Sequence, residues 1–326
     1  MEQPASGKSI LVDIGATNLR VAIGESGGRI LAKMSQTTRI SKESGAIPAQ
    51  ITEMALKLIR QHGVSKRSLV SIVIGSVGPI DAKNGLILRT ANLPYANVPL
   101  RENLMKHFDV PLRLLGDCVA AVLGEQKFGA AKHARNVIYV TFSTGIGVGA
   151  VVNGQLLEGR AGNAAMMGHM IISLESDLVC GCGQTGHWEA YCSAKNIPNY
   201  AATIMSSLGT SYDSGLMRIY RKDSSKITAR IIFEAAKNGD SVAGLIVNRI
   251  GEVNSKALAN LVVAYDPEVI VLGGALTIAH PELIIPPIRR MLRKYSIFPK
   301  VPRILKTRLG DDAVLFGALA STNEPS

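Results

Sequence analysis

A strand–turn–strand device occurs twice in this chain, and it limits the possible folds more than any other feature. Residues 9–13 form an apolar run, Gly15-Ala16-Thr17-Asn18 supplies a turn, and residues 19–23 return as a second apolar run. Roughly 130 residues further on, residues 137–142, the turn Ser143-Thr144-Gly145-Ile146-Gly147 and residues 148–152 repeat the pattern, which predicts a duplicated lobe. A third strand is expected near residues 30–36. Ile47, Ile51, Met54, Ala55, Leu58 and Ile59 then fall at helical spacing, with Gly63 as the stop. Residues 69–74 read as a buried strand that ends in Gly75-Ser76-Val77-Gly78-Pro79. Three strands, a helix and a strand lead to an α/β lobe. Farther along, residues 240–264 read as a long helix broken by Tyr265-Asp266-Pro267, followed by a buried strand at 269–272 and a turn at Gly273-Gly274. No flexible linker interrupts the pattern, so two lobes joined by ordinary structure, as in a hinged clamp, are expected.

Composition narrows the function classes. With 47% hydrophobic and 19% charged residues, the 326-residue chain has a globular balance, which excludes general disorder. The net charge of +11 would attract anions. Its densest source is the stretch 289–308, where Met291, Leu292, Ile297, Phe298, Val301, Ile304 and Leu305 punctuate the basic residues and are expected to pack inward. That pattern predicts a solvated face, and 5% aromatic content argues against a stacking platform for nucleic acid. Four cysteines are too few for a disulfide framework, which points to a reducing compartment. No apolar leader and no apolar run of ~18 residues is visible, so a soluble, cytoplasmic protein is expected.

The two turns suggest anion chemistry. A tight turn between strands aims several backbone N–H groups at one point, and Thr17 or Thr144 can add a hydroxyl donor. Asp13, at the end of the first strand, is placed to hold Mg²⁺ directly or through water. Either turn alone is also what a plain hairpin makes; the pair, with a carboxylate at one rim, favours phosphate. No Gly-x-x-x-x-Gly-Lys-Ser/Thr occurs, and the glycines at 181, 183 and 186 lack the preceding strand that a dinucleotide site needs.

A second constellation is metal-like. His169, Cys180, Cys182 and His187 supply four soft or borderline ligands within a short span, the number that a closed zinc site takes. Two buried thiols and two unrelated histidines are the plain alternative. Cys118 and Cys192 stand apart and are expected to be packing residues. A closed site would be structural, tying a loop in place and fixing the second nitrogen of His169.

In order along the chain, these residues resemble the ROK family (repressors, open reading frames and sugar kinases). The resemblance rests on Leu11-Val12-Asp13-Ile14-Gly15-Ala16-Thr17-Asn18, on Gly75 to Asp81, on Ala91-Asn92-Leu93-Pro94-Tyr95, on Gly116-Asp117 and on Ser143 to Gly147. Gly168-His169 and Cys180-Gly181-Cys182-Gly183-Gln184-Thr185-Gly186-His187-Trp188-Glu189 are its most specific pieces, and Leu272-Gly273-Gly274 and Gly310-Asp311-Asp312-Ala313 complete it. It implies an actin-like, RNase H-like α/β fold of two duplicated lobes, with ATP and sugar in a central interlobe cleft. The lobes expected are residues 1–118, joined by a C-terminal helix at 306–326, and residues 119–305.

The resemblance also implies roles. Asp117 would be the general base that takes a proton from a sugar hydroxyl, usually on C6, as the oxygen attacks the γ-phosphate. Read alone, Asp117 is equally a helix N-cap. Gly78, Asn92, Asp117, His169 and Glu189 would bind the sugar. Asp13, Gly15, Thr17, Asn18, Thr144, Gly145, Gly147, Gly273 and Gly274 would bind Mg-ATP, and His169, Cys180, Cys182 and His187 structural zinc. A homodimer is expected, with sugar and ATP as the partners, and neither nucleic acid nor membrane.

Two sugar-site positions depart from the family pattern, and a third, His187, stands where the zinc loop usually has Cys, an exchange that zinc tolerates. Gly116 stands where Asn usually precedes the base, and Met166 stands where Glu usually lies two residues before Gly-His. Loss of the carboxylate removes an acceptor and leaves an adaptable apolar wall. The expectation drawn from this is a shift toward 2-substituted sugars, with N-acetylmannosamine first and a broad glucokinase as the alternative. A catalytically weak sugar sensor is a further alternative. A repressor of the same family is expected to carry a helix-turn-helix before the kinase-like body.

Overall fold

A computed structural model describes residues 7–25, 27–41, 43–88, 96–209 and 212–323. The opening hairpin forms where the sequence spaces it. Strand β1 (Lys8–Ile14) pairs antiparallel with β2 (Asn18–Glu25), which pairs with β3 (Arg29–Thr37). Helix α1 (Ala46–Gln61) follows, and Gly63, at φ 60°, turns the chain toward β4 (Leu69–Ser76). Strands β4 and β5 (Leu112–Gly116) run parallel to β1, and β5 leads directly into helix α2 (Asp117–Lys127). The sheet order is β3-β2-β1-β4-β5.

Alternation explains why β1 is buried throughout. Ile10, Val12 and Ile14 point to the side covered by Ile47, Ile51 and Met54 of α1. Leu11, with Val73 and Leu115, points to the opposite side, where Ala120, Leu315 and Leu319 pack. A strand covered on both faces reads as a continuous apolar run, as residues 9–12 nearly do.

The second sheet repeats the first. It holds β6 (Val137–Phe142), β7 (Ile146–Val152), β8 (Gln155–Leu156), β9 (Val269–Gly273) and β10 (Arg303–Lys306), in the order β8-β7-β6-β9-β10, with β6, β9 and β10 parallel. The same order of strands in both sheets supports the duplication that the repeated turns suggested. Between these strands lie α3 (Glu189–Cys192), α4 (Ser241–Tyr265), α5 (Gly274–Ala279) and α6 (Pro281–Tyr295). Helix α4 starts on the Asp240 carboxylate, which accepts the N–H groups of Val242 and Ala243 at 3.1 and 3.0 Å, and it ends at a left-handed Asp266.

The basic stretch is a solvated face. Helix α6 buries Ile288 and Leu292 and exposes Arg290, Arg293 and Lys294, while Arg289 donates to the Ile304 carbonyl at 2.7 Å. Ile297 and Phe298 do not pack inward as expected. The chain bends away after α6 and leaves both exposed.

By compactness the chain forms two units, residues 1–135 with 149–165 and 308–326, and residues 136–148 with 166–307. The boundary expected after residue 118 is displaced because α2 packs within the first unit. The C-terminal helix, α7 (Ala313–Ala320), is shorter than the expected 306–326: residues 303–306 join the sheet as β10, and Gly310 at φ 56° turns the chain.

Helices α2 and α7 meet through glycine. A Cβ at Gly124 would lie 2.5 Å from the Ala313 carbonyl oxygen, and one at Gly317 would overlap the Ala120 carbonyl. Beside that contact, the fully buried Glu125 accepts the N–H groups of Ala130, Arg308 and Leu309 at 2.6, 3.2 and 3.1 Å. Three backbone donors from two distant segments thus share one carboxylate. Glu125→Ala is expected to lower unfolding free energy by about 3 kcal/mol in urea titrations, because buried donors lose their acceptor. Glu125→Gln, which keeps one oxygen, should lose less; equal stability of wild type and Glu125→Ala would contradict the role.

Candidate functional site

In the first unit, the candidate residues gather at the C-terminal ends of parallel strands. Cross-strand register places Asp13 of β1 beside Gly75 of β4, and Gly75 beside Leu115 of β5, two residues before Asp117. Such edges are where open α/β sheets bind ligands. Gly75 permits the approach of two helices: a Cβ there would overlap the Val314 side chain of α7 and meet Ala120 Cβ of α2 at 3.3 Å. Asp117 is the first residue of α2, and its carboxylate accepts the N–H of Cys118 at 2.7 Å. Burial pushes its pKa above the ordinary carboxylate value, and that N–H only partly offsets the shift.

Asp13 is 5% exposed and pairs with Arg20 at 2.7 Å. Burial outweighs the guanidinium and, with the charges of Asp117 and Asp311 adding to it, raises Asp13 to about 6. Gly15 closes the first turn by donating to the Asn18 carbonyl at 3.0 Å, and Thr38 Oγ1 donates to the Gly15 carbonyl at 2.7 Å. Thr17 and Asn18 are left exposed at the turn. Gly78 lies in the segment after β4, just before Ile80, whose N–H and carbonyl are bracketed by the Asn163 amide at 2.8 and 2.7 Å. Asn92 lies outside the described residues.

Sequence reasoning did not find Arg20, Asn163 or Asp311. The first had a readable signal, since the tight turn at 15–18 fixes the hairpin register that sets residue 20 opposite Asp13. The other two reach the site from distant segments that no local pattern connects.

In the second unit, Gly273 of β9 sits beside Thr141 of β6, so the turn 143–147 and the Gly273-Gly274 junction share one sheet edge. Gly274, at φ 83°, starts α5, and a Cβ there would meet the Phe142 carbonyl oxygen at 2.5 Å. The pair is therefore a strand-to-helix junction. Thr144 is exposed, whereas Gly145 lies against Glu189, whose Oε2 accepts the Ile146 N–H at 2.9 Å.

The Cys/His loop is organised by its own backbone. Bridges Ile171–His187 and Val179–Thr185 fold it back, and Gly183 and Gly186 take φ values of 92° and 73°. One potential ligand atom from each of His169, Cys180, Cys182 and His187 lies within 4.8 Å of the other three. Cys180 Sγ is 3.6 Å from His169 Nδ1, and Cys182 Sγ is 3.3 Å from His187 Nδ1. Tetrahedral zinc with these donors needs ligand separations of about 3.3–3.8 Å; the two Cys–His pairs already have them, the donor set fits, and the remaining atoms, all within 4.8 Å, would have to draw in slightly. Burial pushes the Cys180 thiol up to about 12, a cost that a bound cation removes by taking the thiolate. The described cysteines form no disulfide.

Comparison with known proteins decides the kinship. The ROK family model matches residues 9–324. The chain belongs to the ROK family. A glucokinase of Pyrobaculum calidifontis is 31% identical over 313 residues, which is 96% of this chain and 94% of that protein. A ROK glucokinase of Streptomyces griseus, solved with glucose and AMPPNP, superposes with a TM-score of 0.74 at 28% identity, covering 96% of this chain and 98% of that one. The ROK hexokinase of Thermus thermophilus gives 0.79 at 28%, covering 96% and 97%. The expected family, its actin-like α/β class and its place among the ATP-dependent sugar kinases therefore stand.

As for compartment, no helix among the described residues is long and apolar enough to cross a membrane. At the two sugar-site departures from the ROK pattern, Met166 is 37% exposed, and Gly116 at φ −62° has room: a Cβ there would touch Val119 at 3.4 Å, ordinary contact. The purified protein is expected to carry about one zinc per chain by elemental analysis, and Cys182→Ser to lose it and melt at lower temperature. Metal-free wild type would remove zinc from the account.

Proposed function

We propose that this ROK protein transfers the γ-phosphate of ATP to the 6-hydroxyl of glucose, with Asp117 as general base. The observation that carries the reading is the Asp117 carboxylate itself, set at the head of α2 beside the Asp13 end of β1, with its pKa raised by burial. A base raised in this way accepts a hydroxyl proton more readily. Glucose is favoured over N-acetylmannosamine because the relatives at about 30% identity are glucokinases.

Each remaining residue has a role in the reading. Gly78, Asn92, His169 and Glu189 hold sugar hydroxyls. Both histidines of the Cys/His loop turn Nδ1 toward its thiols, which leaves His169 Nε2 for a hydroxyl. Thr17, Asn18, Thr144, Gly145 and Gly147 donate to phosphates, Gly15 shapes the first turn through its bond to the Asn18 carbonyl, and Gly273 and Gly274 receive the adenosine. Asp13 would hold Mg²⁺: one carboxylate oxygen is taken by Arg20, and the other is a hard donor suited to this cation. When bound, the cation neutralises phosphate charge. A cytoplasmic homodimer is proposed on kinship.

A second reading keeps the 2-substituted sugars. It is favoured by Met166, a thioether where a carboxylate would grip the C1–C2 side. A panel of glucose, mannose, N-acetylglucosamine and N-acetylmannosamine with Mg-ATP, read by ADP release, separates the two. Glucose is expected to have the highest kcat/KM; an N-acetylhexosamine on top would reverse the choice. Restoring the family residue with Gly116→Asn is expected to lower the sugar KM without a change in stability, since the position has room.

Asp117→Ala should bind sugar yet lose at least ~100-fold in kcat. The acid limb of kcat/KM should fall as pH drops toward about 6, where Asp13 takes up its proton, and not near the ordinary carboxylate value. The sign follows because both Asp13 and Asp117 act as carboxylates and burial raises both. Near-normal turnover by Asp117→Ala would end the proposal.

A further inference from the structure

We infer that Glu189 is a positioning residue that ties the turn 143–147 to the Cys/His cluster, so that metal held by the cluster sets how firmly the turn grips a nucleotide. The inference rests on the reading of that turn as a phosphate-binding element.

Glu189 stands two residues after His187 and opens α3. Its two oxygens face in different directions. Oε2 accepts the Ile146 N–H at 2.9 Å, and Oε1 lies 3.4 Å from Cys180 Sγ. One carboxylate therefore spans the turn and a cluster thiol. Gly145 records how close the fit is, since a Cβ there would come within 2.6 Å of Oε2.

The same peptide is held from other sides by neighbours of the cluster. Gly168, next to His169, packs on the Ile146 carbonyl so tightly that a Cβ would overlap it. Ala194, two residues past α3, donates to the Ser143 carbonyl at 2.8 Å. Beneath them the Trp188 ring meets Phe142 edge-on at 5.8 Å, and its indole N–H donates to Asn254 at 2.8 Å. Both strand ends that flank the turn thus rest on the segment carrying His169, Cys180, Cys182 and His187.

The consequence is chemical. Glu189 takes the Ile146 N–H out of the set available to phosphate and, in doing so, fixes the peptide planes that aim the remaining donors. Donors that are already aimed cost no ordering when an anion arrives. Metal at the cluster would fix the segment from which Gly168 and Glu189 reach the turn; a bound Cys180 thiolate has no S–H for Oε1, so the tie then runs through the backbone and the Oε2 bond to the Ile146 N–H. Without metal, the cluster side chains are held by weaker contacts: two thiol–ring-nitrogen pairs, the edge contact of the His169 and His187 rings at 5.4 Å, and the Cys180–Glu189 hydrogen bond.

The test is AMPPNP binding by calorimetry in the absence of sugar, with amide exchange of the 143–147 peptide as a second readout. Glu189→Ala is expected to weaken AMPPNP about tenfold and to speed exchange, while Glu189→Gln, which keeps an acceptor for Ile146, should stay within about twofold of wild type. Glu189→Gln also controls for folding. Cys182→Ser, whose sulfur faces His187 and not Glu189, should lose metal and show the same weakening. Wild-type affinity and exchange in Glu189→Ala, or wild-type affinity in metal-free Cys182→Ser, would overturn the inference and leave the kinase reading intact. A wild-type protein that binds no AMPPNP would overturn the phosphate role of the turn and this inference with it, whereas Asp117 is judged by turnover alone.

Discussion

The close approach of two helices without side chains between them governs the first unit. Gly124 and Gly317 let α2 and α7 touch backbone to backbone, and Gly75 lets Val314 of α7 and Ala120 of α2 lie on β4. Bulk at any of these positions would lift α2 from the sheet and carry Asp117 with it. Glu125 reinforces the same placement by gathering three N–H groups from either side of the contact. The position of a single carboxylate is thus decided by packing up to a helix length away, where interiors tolerate little change of volume.

Electrostatics builds on that packing. Asp13 and Asp117 are drawn out of water at the end of a sheet, and desolvation outweighs the partners that each retains. Arg20 is the counterweight: it lies opposite Asp13 because the strands of a tight hairpin have no freedom of register. In the second unit the balance differs. There, one carboxylate is used to organise backbone, and two cysteines and two histidines are grouped where they could hold a metal ion.

Much of this was legible from the chain alone, and the reason is locality. The hairpins, the helix at Ala46–Gln61, the Asp266 break and the four-ligand loop all depend on residues close in sequence, where period and spacing carry the information. Asp117 was legible through its motif. What was hidden joins distant segments: the Glu125 acceptor for Arg308 and Leu309, the Asn163 bracket on Ile80, and the Glu189 bond to Ile146. The C-terminal helix was drawn too long for a related reason. Its first expected residue, Lys306, closes a parallel strand whose partner, β9, lies more than thirty residues earlier, and Gly310 turns the chain before the helix starts at Ala313. Exposed Ile297 and Phe298 show the limit of pattern, which does not reveal where a chain bends.

The discontinuity of the first unit has a bearing on biosynthesis. Leu11, Val73 and Leu115 are covered by Leu315 and Leu319, and the Glu125 carboxylate finds Arg308 and Leu309, only after residues 136–307 have been made. While a ribosome is still adding the second unit, that side of the amino-terminal sheet is covered by α2 but not by α7, and Glu125 lacks the Arg308 and Leu309 donors. The last helix is therefore the piece that closes the first unit's core, and it is the last to be made.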